Sequence, residues 1–170
     1  MKLFGFAGPM GCGKTTCAKA ISHAVCSFAL PMKNCLQDLF GFEDNQLYTM
    51  EGKQAVDPRY GVSPRLIMQR FGTEFVRTTV PDLWIILMRT TLGNLREVAD
   101  IACVDDIRFN DEAALIREMG GTVVHIVGRV GVESNHASEL GIVIHSSDII
   151  FDNKPGLLSL PMRLRNRLNI

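Results

Sequence analysis

Between an apolar run, Lys2 to Ala7, and a helix-forming segment, Lys14 to Ala24, lies Gly8-Pro9-Met10-Gly11-Cys12-Gly13-Lys14-Thr15, followed by Thr16. The octapeptide satisfies G-x-x-x-x-G-K-[ST] at every fixed position, and strand-loop-helix is the context in which that spacing builds a phosphate-binding loop. Glycines at 8, 11 and 13 let the backbone take conformations closed to other residues and bring its N–H groups close around a polyphosphate. The following helix presents its positive end to the same spot. Gly8, Met10, Gly11, Cys12, Gly13, Lys14, Thr15 and Thr16 are therefore the expected contacts of a nucleoside triphosphate such as ATP. Lys14 would reach the β- and γ-phosphates, and the Thr15 hydroxyl would hold a magnesium ion bridging them. A plain glycine turn is the bland alternative, and the agreement of motif with context argues against it.

The rest of the chain supplies a sheet for that loop to sit on. Cys17, Ala18, Ile21, Ala24 and Val25 keep helical spacing after Lys14, and Ser27 to Ala29 reads as a short second strand. Pro31 opens a helix, Met32 to Phe40, that Gly41 closes. Glu43 to Ser63 is polar and punctuated by Gly52, Pro58 and Gly61, which predicts a mobile loop. Two helical segments follow, about Pro64 to Thr78 and Pro81 to Val98. Ile101 to Val104 reads as a buried strand stopping at Asp105-Asp106. Asn110 or Asp111 can cap the next helix, which Gly120-Gly121 ends. Thr122 to Val127 is another strand, Gly128 to Gly141 a polar loop, Asp148 to Phe151 a last strand, and a terminal helix starts near Leu157. Alternating strands and helices mean an α/β fold with a mainly parallel sheet, whose ligands sit beyond the carboxyl ends of the strands.

Several further motifs come after the loop in order: Phe28-Ala29-Leu30-Pro31-Met32-Lys33, Gly72-Thr73-Glu74 with Arg77, Asp105-Asp106-Ile107-Arg108-Phe109 with Glu112, Gly120-Gly121, and His136-Ala137-Ser138-Glu139. With the loop they resemble the phage deoxynucleoside monophosphate kinases, adenylate-kinase-like P-loop kinases, from Lys2 to about Asn153. The resemblance implies a P-loop NTPase fold with five parallel strands in the order 2-3-1-4-5 flanked by helices. It also implies an acceptor-binding region at about 31–98 and a short lid at about 128–141, within what the length of 170 residues suggests is one domain, 1–170. The implied reaction moves the γ-phosphoryl group of ATP to a deoxynucleoside monophosphate, giving the diphosphate and ADP.

Transfer between two polyanions needs positioning and charge neutralisation more than covalent help, so cationic side chains outside the loop are informative. By resemblance, Arg77 grips the acceptor monophosphate or the transferred group, and Lys33 touches the acceptor phosphate. Arg65 and Gln69, four apart, share a helix face, where Arg65 could meet a phosphate and Gln69 a base edge; an ordinary polar face is the alternative. Asp105 occupies the Walker B position and could order the magnesium shell through water beside Thr15; a helix-capping or turn pair is the alternative for the two aspartates. Asp106, its side chain pointing the other way, could meet the acceptor or fix Arg108. Arg108 could bind phosphate or pair with Asp106 or Glu112. Arg129 is the one arginine between Gly128 and Gly141 and the lid's candidate for the donor phosphates and transferred charge. Lys14, Arg77 and Arg129 are thus the catalytic candidates. His136, Ser138 and Glu139 read as lid-closing contacts, Trp84 as core or a neighbour of the acceptor base, and Arg163, Arg165 and Arg167 as a solvated helix face.

Composition narrows the alternatives. A formal net charge of zero and 46% hydrophobic residues give no polyanion-coating surface, so nucleic acid is not an expected partner. No apolar run approaches the roughly 18 residues that would span a bilayer. Lys2 to Ala7 is too short for a signal-peptide core. Five cysteines without a C-x-x-C pair suit a reducing cytoplasm, the host's if the gene is a phage's, and oxidation at Cys12 within the loop is the lesser reading, since no neighbouring base is there to lower its pKa. Histidines 23, 125, 136 and 145 have no zinc spacing. Monomer and homodimer stay open, as do two other functions: phosphorylation of a different small phosphorylated acceptor, and a P-loop switch acting through a partner.

Overall fold

The structure is a computed structural model describing residues 1–128, 136–137, 141–154 and 159–170. The chain divides into two compact units, one made of Met1–Ser27 with Leu87–Ile170 and the other of Phe28–Ile86.

The first unit is built on β1 (Lys2–Ala7), which is buried from Leu3 onward and lies between two neighbours. It pairs in parallel with β3 (Ile101–Ile107) and β4 (Thr122–Val127); β2 (Ala24–Cys26) adds outside β3, and β5 (Ile149–Asp152) outside β4. The resulting order, β2-β3-β1-β4-β5, is the expected one. Burial on both faces explains the near-continuous apolar runs of β1 and β4. Helices α1 (Lys14–Ile21) and α9 (Leu160–Leu168) give Cys17, Ala18, Ile21, Leu164 and Leu168 to a core shared with Phe4, Phe6, Val124, Ile126 and Phe151.

Four local expectations are corrected in this unit. The first helix stops at Ile21, and Ala24 and Val25, read as its continuation, belong to β2 in place of Ser27–Ala29. Ser22 makes the break: its hydroxyl donates to Ile101 O (2.6 Å) and accepts from Ala24 N (2.9 Å), which turns the chain onto β3. Strand β3 carries both aspartates within it and ends at Ile107. The helix after it, α8 (Asn110–Glu118), is entered through Glu112, whose buried carboxylate accepts from Arg108 N (2.7 Å) and Phe109 N (3.1 Å). Finally, the α9 arginines are not merely solvated. Arg163 and Arg167 donate to the Asp152 and Ile150 carbonyls of edge strand β5, and Arg165 donates to Ile21 O. Charged side chains across an edge blunt its tendency to pair with another chain.

The second unit is helical. Its α2 (Leu30–Phe40) ends at Gly41, φ 60°, as the glycine stop requires. The polar stretch after Gly41 is structured, contrary to expectation: α3 (Asp44–Tyr48), α4 (Met50–Gln54) and a bridge between Asp57 and Val62 occupy it. Two anchors explain this. Leu47 and Phe42 bury with Leu36 in a separate small core. Asp57, 3% exposed, accepts from Arg59 Nη2 (2.7 Å), Arg59 N (2.9 Å) and Gln46 Nε2 (2.8 Å), while Arg59 also donates to Gly41 O. These donors hold the Asp57 carboxyl well below the usual range, the Arg59 guanidinium foremost, against the opposing effect of burial. Helix α5 (Pro64–Gln69), capped by Ser63, runs into a π-helical turn over Arg70–Val76 and a short α6 (Arg77–Thr79). Helix α7 (Leu83–Leu95) begins in this unit and continues into the other. No described helix is long and apolar enough to cross a membrane.

Candidate active site

The loop from Gly8 to Thr15 joins the carboxyl end of β1 to the amino end of α1. Gly8, Gly11 and Gly13 all take positive φ (142°, 82° and 100°), so the three glycines are where the chain turns left-handed. Crowding adds a second demand at Gly8 and Gly13. A Cβ on Gly8 would stand 2.7 Å from Ile126 O, and one on Gly13 would stand 2.5 Å from Asn153 Nδ2. Around Gly11 the space is open. The first turn of α1 carries no acidic residue to compete with an anion for the helix's positive end.

Lys14 folds across the loop mouth, its ammonium donating to Gly8 O (2.7 Å) and Pro9 O (2.9 Å). Thr15 Oγ1 donates to Asp105 Oδ2 at 2.6 Å, so β3 delivers a carboxylate to the start of α1 across ninety positions of sequence. This hydroxyl-carboxylate pair fits magnesium, a hard cation that prefers oxygen, takes one or two protein ligands and completes its octahedron with phosphate oxygens and water. Asp106 goes elsewhere, accepting from Ser27 Oγ at 2.6 Å. The two neighbouring aspartates therefore have separate partners, as alternation along a strand requires.

One member of this site gave no sequence signal. Asn153, 2% exposed and just past β5, donates Nδ2 to Cys12 O at 2.9 Å and its own N–H to Val127 O at 2.8 Å. It braces the loop from beneath, and nothing local in its sequence marks it as different from any asparagine after a strand. A second polar cluster lies on the opposite face of β4: Asp148 accepts from Arg117 Nε and Nη2 (2.9 and 2.7 Å) and from His145 N (2.9 Å), and it lies 2.9 Å from His125 Nε2. Burial by itself would raise the Asp148 pKa; Arg117, then the His145 N–H and His125, hold it well below the usual carboxylate range.

Cys12, Cys17 and Cys103 are buried, and Cys12 is fully enclosed, which agrees with setting its oxidation aside. Burial, with smaller effects of Cys26 and Asp105, pushes the Cys103 thiol up to about 12. Burial, then Asp105 and Asp106, raises Cys26 also.

The remaining candidates divide between the units. Asp106 and Arg108 belong to the sheet unit, and Lys33, Arg65, Gln69 and Arg77 to the helical one. Lys33 Nζ stands 4.0 Å from the centroid of the Tyr48 ring, a cation-π arrangement that fixes the side chain on α2. Arg65 and Gln69 lie on α5, and Arg77 comes directly after the π turn. Arg129, Ser138 and Glu139 lie outside the described residues; His136 is half-buried.

Comparison with known proteins bears on the whole chain. The sequence model for deoxynucleotide monophosphate kinase matches residues 53–163, which is 111 of 170. A provisionally named deoxynucleotide monophosphate kinase of Acanthamoeba polyphaga mimivirus is 34% identical over 172 residues, covering 90% of this chain and 89% of that protein. The deoxynucleotide monophosphate kinase of Enterobacteria phage T4 is 31% identical over 64% of this chain, and the deoxynucleoside-5'-monophosphate kinase of Escherichia phage T5 is 32% identical over 48%. The chain aligns with under half of each phage protein, 46% and 35% of their lengths. A match across most of this sequence and most of the mimivirus protein, on a sheet of the expected order, leads to one conclusion: the chain belongs to the deoxynucleotide monophosphate kinase family.

Proposed function

We infer that the chain is a phosphotransferase that passes the γ-phosphoryl group of magnesium-ATP to a deoxynucleoside monophosphate. The observation that carries this reading is the independence of its two supports. The family match begins at residue 53, whereas the phosphate loop, complete in spacing and conformation, lies wholly at 8–15.

The donor's phosphates would lie against the N–H groups of residues 8–16. There the Lys14 ammonium, which donates to two loop carbonyls, would exchange those acceptors for phosphate oxygens. Once it has done so, its charge would stand beside the transferred group, where a fixed donor stabilises the charge that develops. Magnesium, held by Thr15 and Asp105, would neutralise charge between the β- and γ-phosphates when bound. The acceptor falls to side chains of the helical unit, with Arg77 and Lys33 on its phosphate and Arg65 and Gln69 as further contacts. Asp106 and Arg108 are the acceptor-side candidates of the sheet unit, and Arg129 is the candidate for the transferred charge. The five free cysteines suit a reducing cytoplasm.

The test is a coupled assay for ADP with magnesium-ATP and each ribo- and deoxyribonucleoside monophosphate in turn. Release of ADP that depends on a deoxynucleoside monophosphate, and is lost in Lys14→Ala with the fold retained, is expected. Slow hydrolysis indifferent to every monophosphate would refute the kinase reading in favour of a switch.

A further inference from the structure

The helix bearing Arg77 is not uniform. It leaves α geometry at Arg70, passes through a seven-residue π turn, Arg70–Val76, and returns to α geometry at Arg77. Such turns are rare, occur mostly as short interruptions of α-helices and are frequent at functional sites. Their consequence is directional. Each residue added to an α-helix rotates every later side chain by about 100° around the axis, at 3.6 residues per turn. The π turn therefore decides which way Arg77 points relative to Arg65 and Gln69 on α5.

Side chains outside the backbone ladder serve this turn. Trp84, on the first turn of α7 and 9% exposed, donates its indole N–H to Gly72 O at 3.1 Å. Thr78 Oγ1 lies 2.6 Å from Glu74 O and 2.9 Å from Phe75 O, and Thr79 Oγ1 donates to Phe75 O at 2.8 Å. On the side facing α2, a Cβ at Gly72 would stand 2.5 Å from Met32 Sδ, so the glycine lets the turn lie directly on that side chain. An apolar residue of similar size would fill the space of Trp84 equally well; the buried N–H aimed at one carbonyl of the turn is what an apolar residue would lack.

We propose that Trp84 is a positioning residue for phosphoryl transfer: its indole N–H holds the π turn at Gly72 and so sets the direction in which Arg77 meets the acceptor phosphate. The proposal rests on the acceptor role given to Arg77 above.

Trp84 is the sole tryptophan. Biosynthetic replacement by benzothienylalanine, which keeps the bicyclic shape and lacks the N–H, therefore alters one site and spares packing; Trp84→Phe is the genetic counterpart. Each is measured with and without Arg77→Ala, for kcat, both KM values and the melting temperature. Loss of a buried hydrogen bond should lower kcat/KM for the monophosphate about tenfold with KM for ATP unchanged. In the Arg77→Ala background the same change should cost less than about twofold, because residues acting through one another are not additive. Wild-type turnover in the benzothienyl protein would overturn the proposal, and so would an equal loss in both backgrounds, which marks a packing role alone. If Arg77→Ala itself keeps wild-type kinetics, the acceptor role of Arg77 is what fails, and the proposal falls with it.

Discussion

Alanine at position 13 would meet two penalties at once. The native φ of 100° is unfavourable for any residue with a Cβ, at about 1–2 kcal/mol. The new methyl would also stand 2.5 Å from Asn153 Nδ2, an amide that is 2% exposed and has little room to retreat. Displacing it breaks the 2.9 Å bond to Cys12 O, and a buried donor and acceptor left unpaired cost roughly 1–3 kcal/mol. Gly13→Ala should therefore destabilise by about 2–5 kcal/mol, which for a domain of this size lowers the melting temperature by roughly 4–20 °C. Calorimetry of Gly13→Ala, Asn153→Ala and the double variant separates the terms. With Asn153 truncated the collision is gone, so Gly13→Ala should then cost only the backbone strain, about 1–2 kcal/mol. ATP affinity should fall in both single variants, because both disturb the same turn of backbone. Additive melting shifts, with the full Gly13→Ala cost retained in the Asn153→Ala background, would refute the idea that Asn153 braces the loop.

Three further outcomes are expected from the geometry. Asp148→Asn removes the charge shared by Arg117 and His125, at roughly 3–5 kcal/mol for a broken buried pair. Because the native carboxyl titrates well below its unfolded value of about 3.9, that stabilisation is full above this value and lost progressively as pH falls towards the folded one, so the melting curves of the two proteins should stay apart above about pH 4 and draw together only below it. Asp105→Asn should raise the magnesium concentration needed for half-maximal turnover, with little change in KM for the monophosphate, as a magnesium titration would register. Thiol-specific alkylation at neutral pH should label Cys35 before Cys103, whose thiol is buried and stays protonated, as peptide mapping by mass spectrometry would show.

Short-range spacing was legible without coordinates. The G-x-x-x-x-G-K-T run carries its own conformational demand, since three glycines and a helix start leave one local solution, and the positive φ values result from it. Strand β4 has the bounds its apolar run suggests. Gly41 stops α2 as a terminal glycine does. The strand order came through ordered motifs and their resemblance to a known family, because no single motif states which strands are neighbours.

Tertiary structure decided the rest, for one physical reason: a residue's partner can be distant in sequence, and its energy then has no local trace. Ala24 and Val25 fit helical spacing and strand burial alike, and only the bond from Ser22 to Ile101, with the pairing on β3, selects the strand. The stretch 43–63 looks like loop by composition, yet Leu47 in a small core and Asp57 amid four polar contacts order it. Asn153 becomes part of the phosphate loop only when β5 lies beside β4, and Trp84 reaches Gly72 only when α7 folds back on the π turn. The sequence alone determined the turn of the loop at 8–15, because backbone conformation around glycine is a local property. Which distant side chains steady that loop, and what holds the π turn before Arg77, were settled by packing between elements apart in the chain.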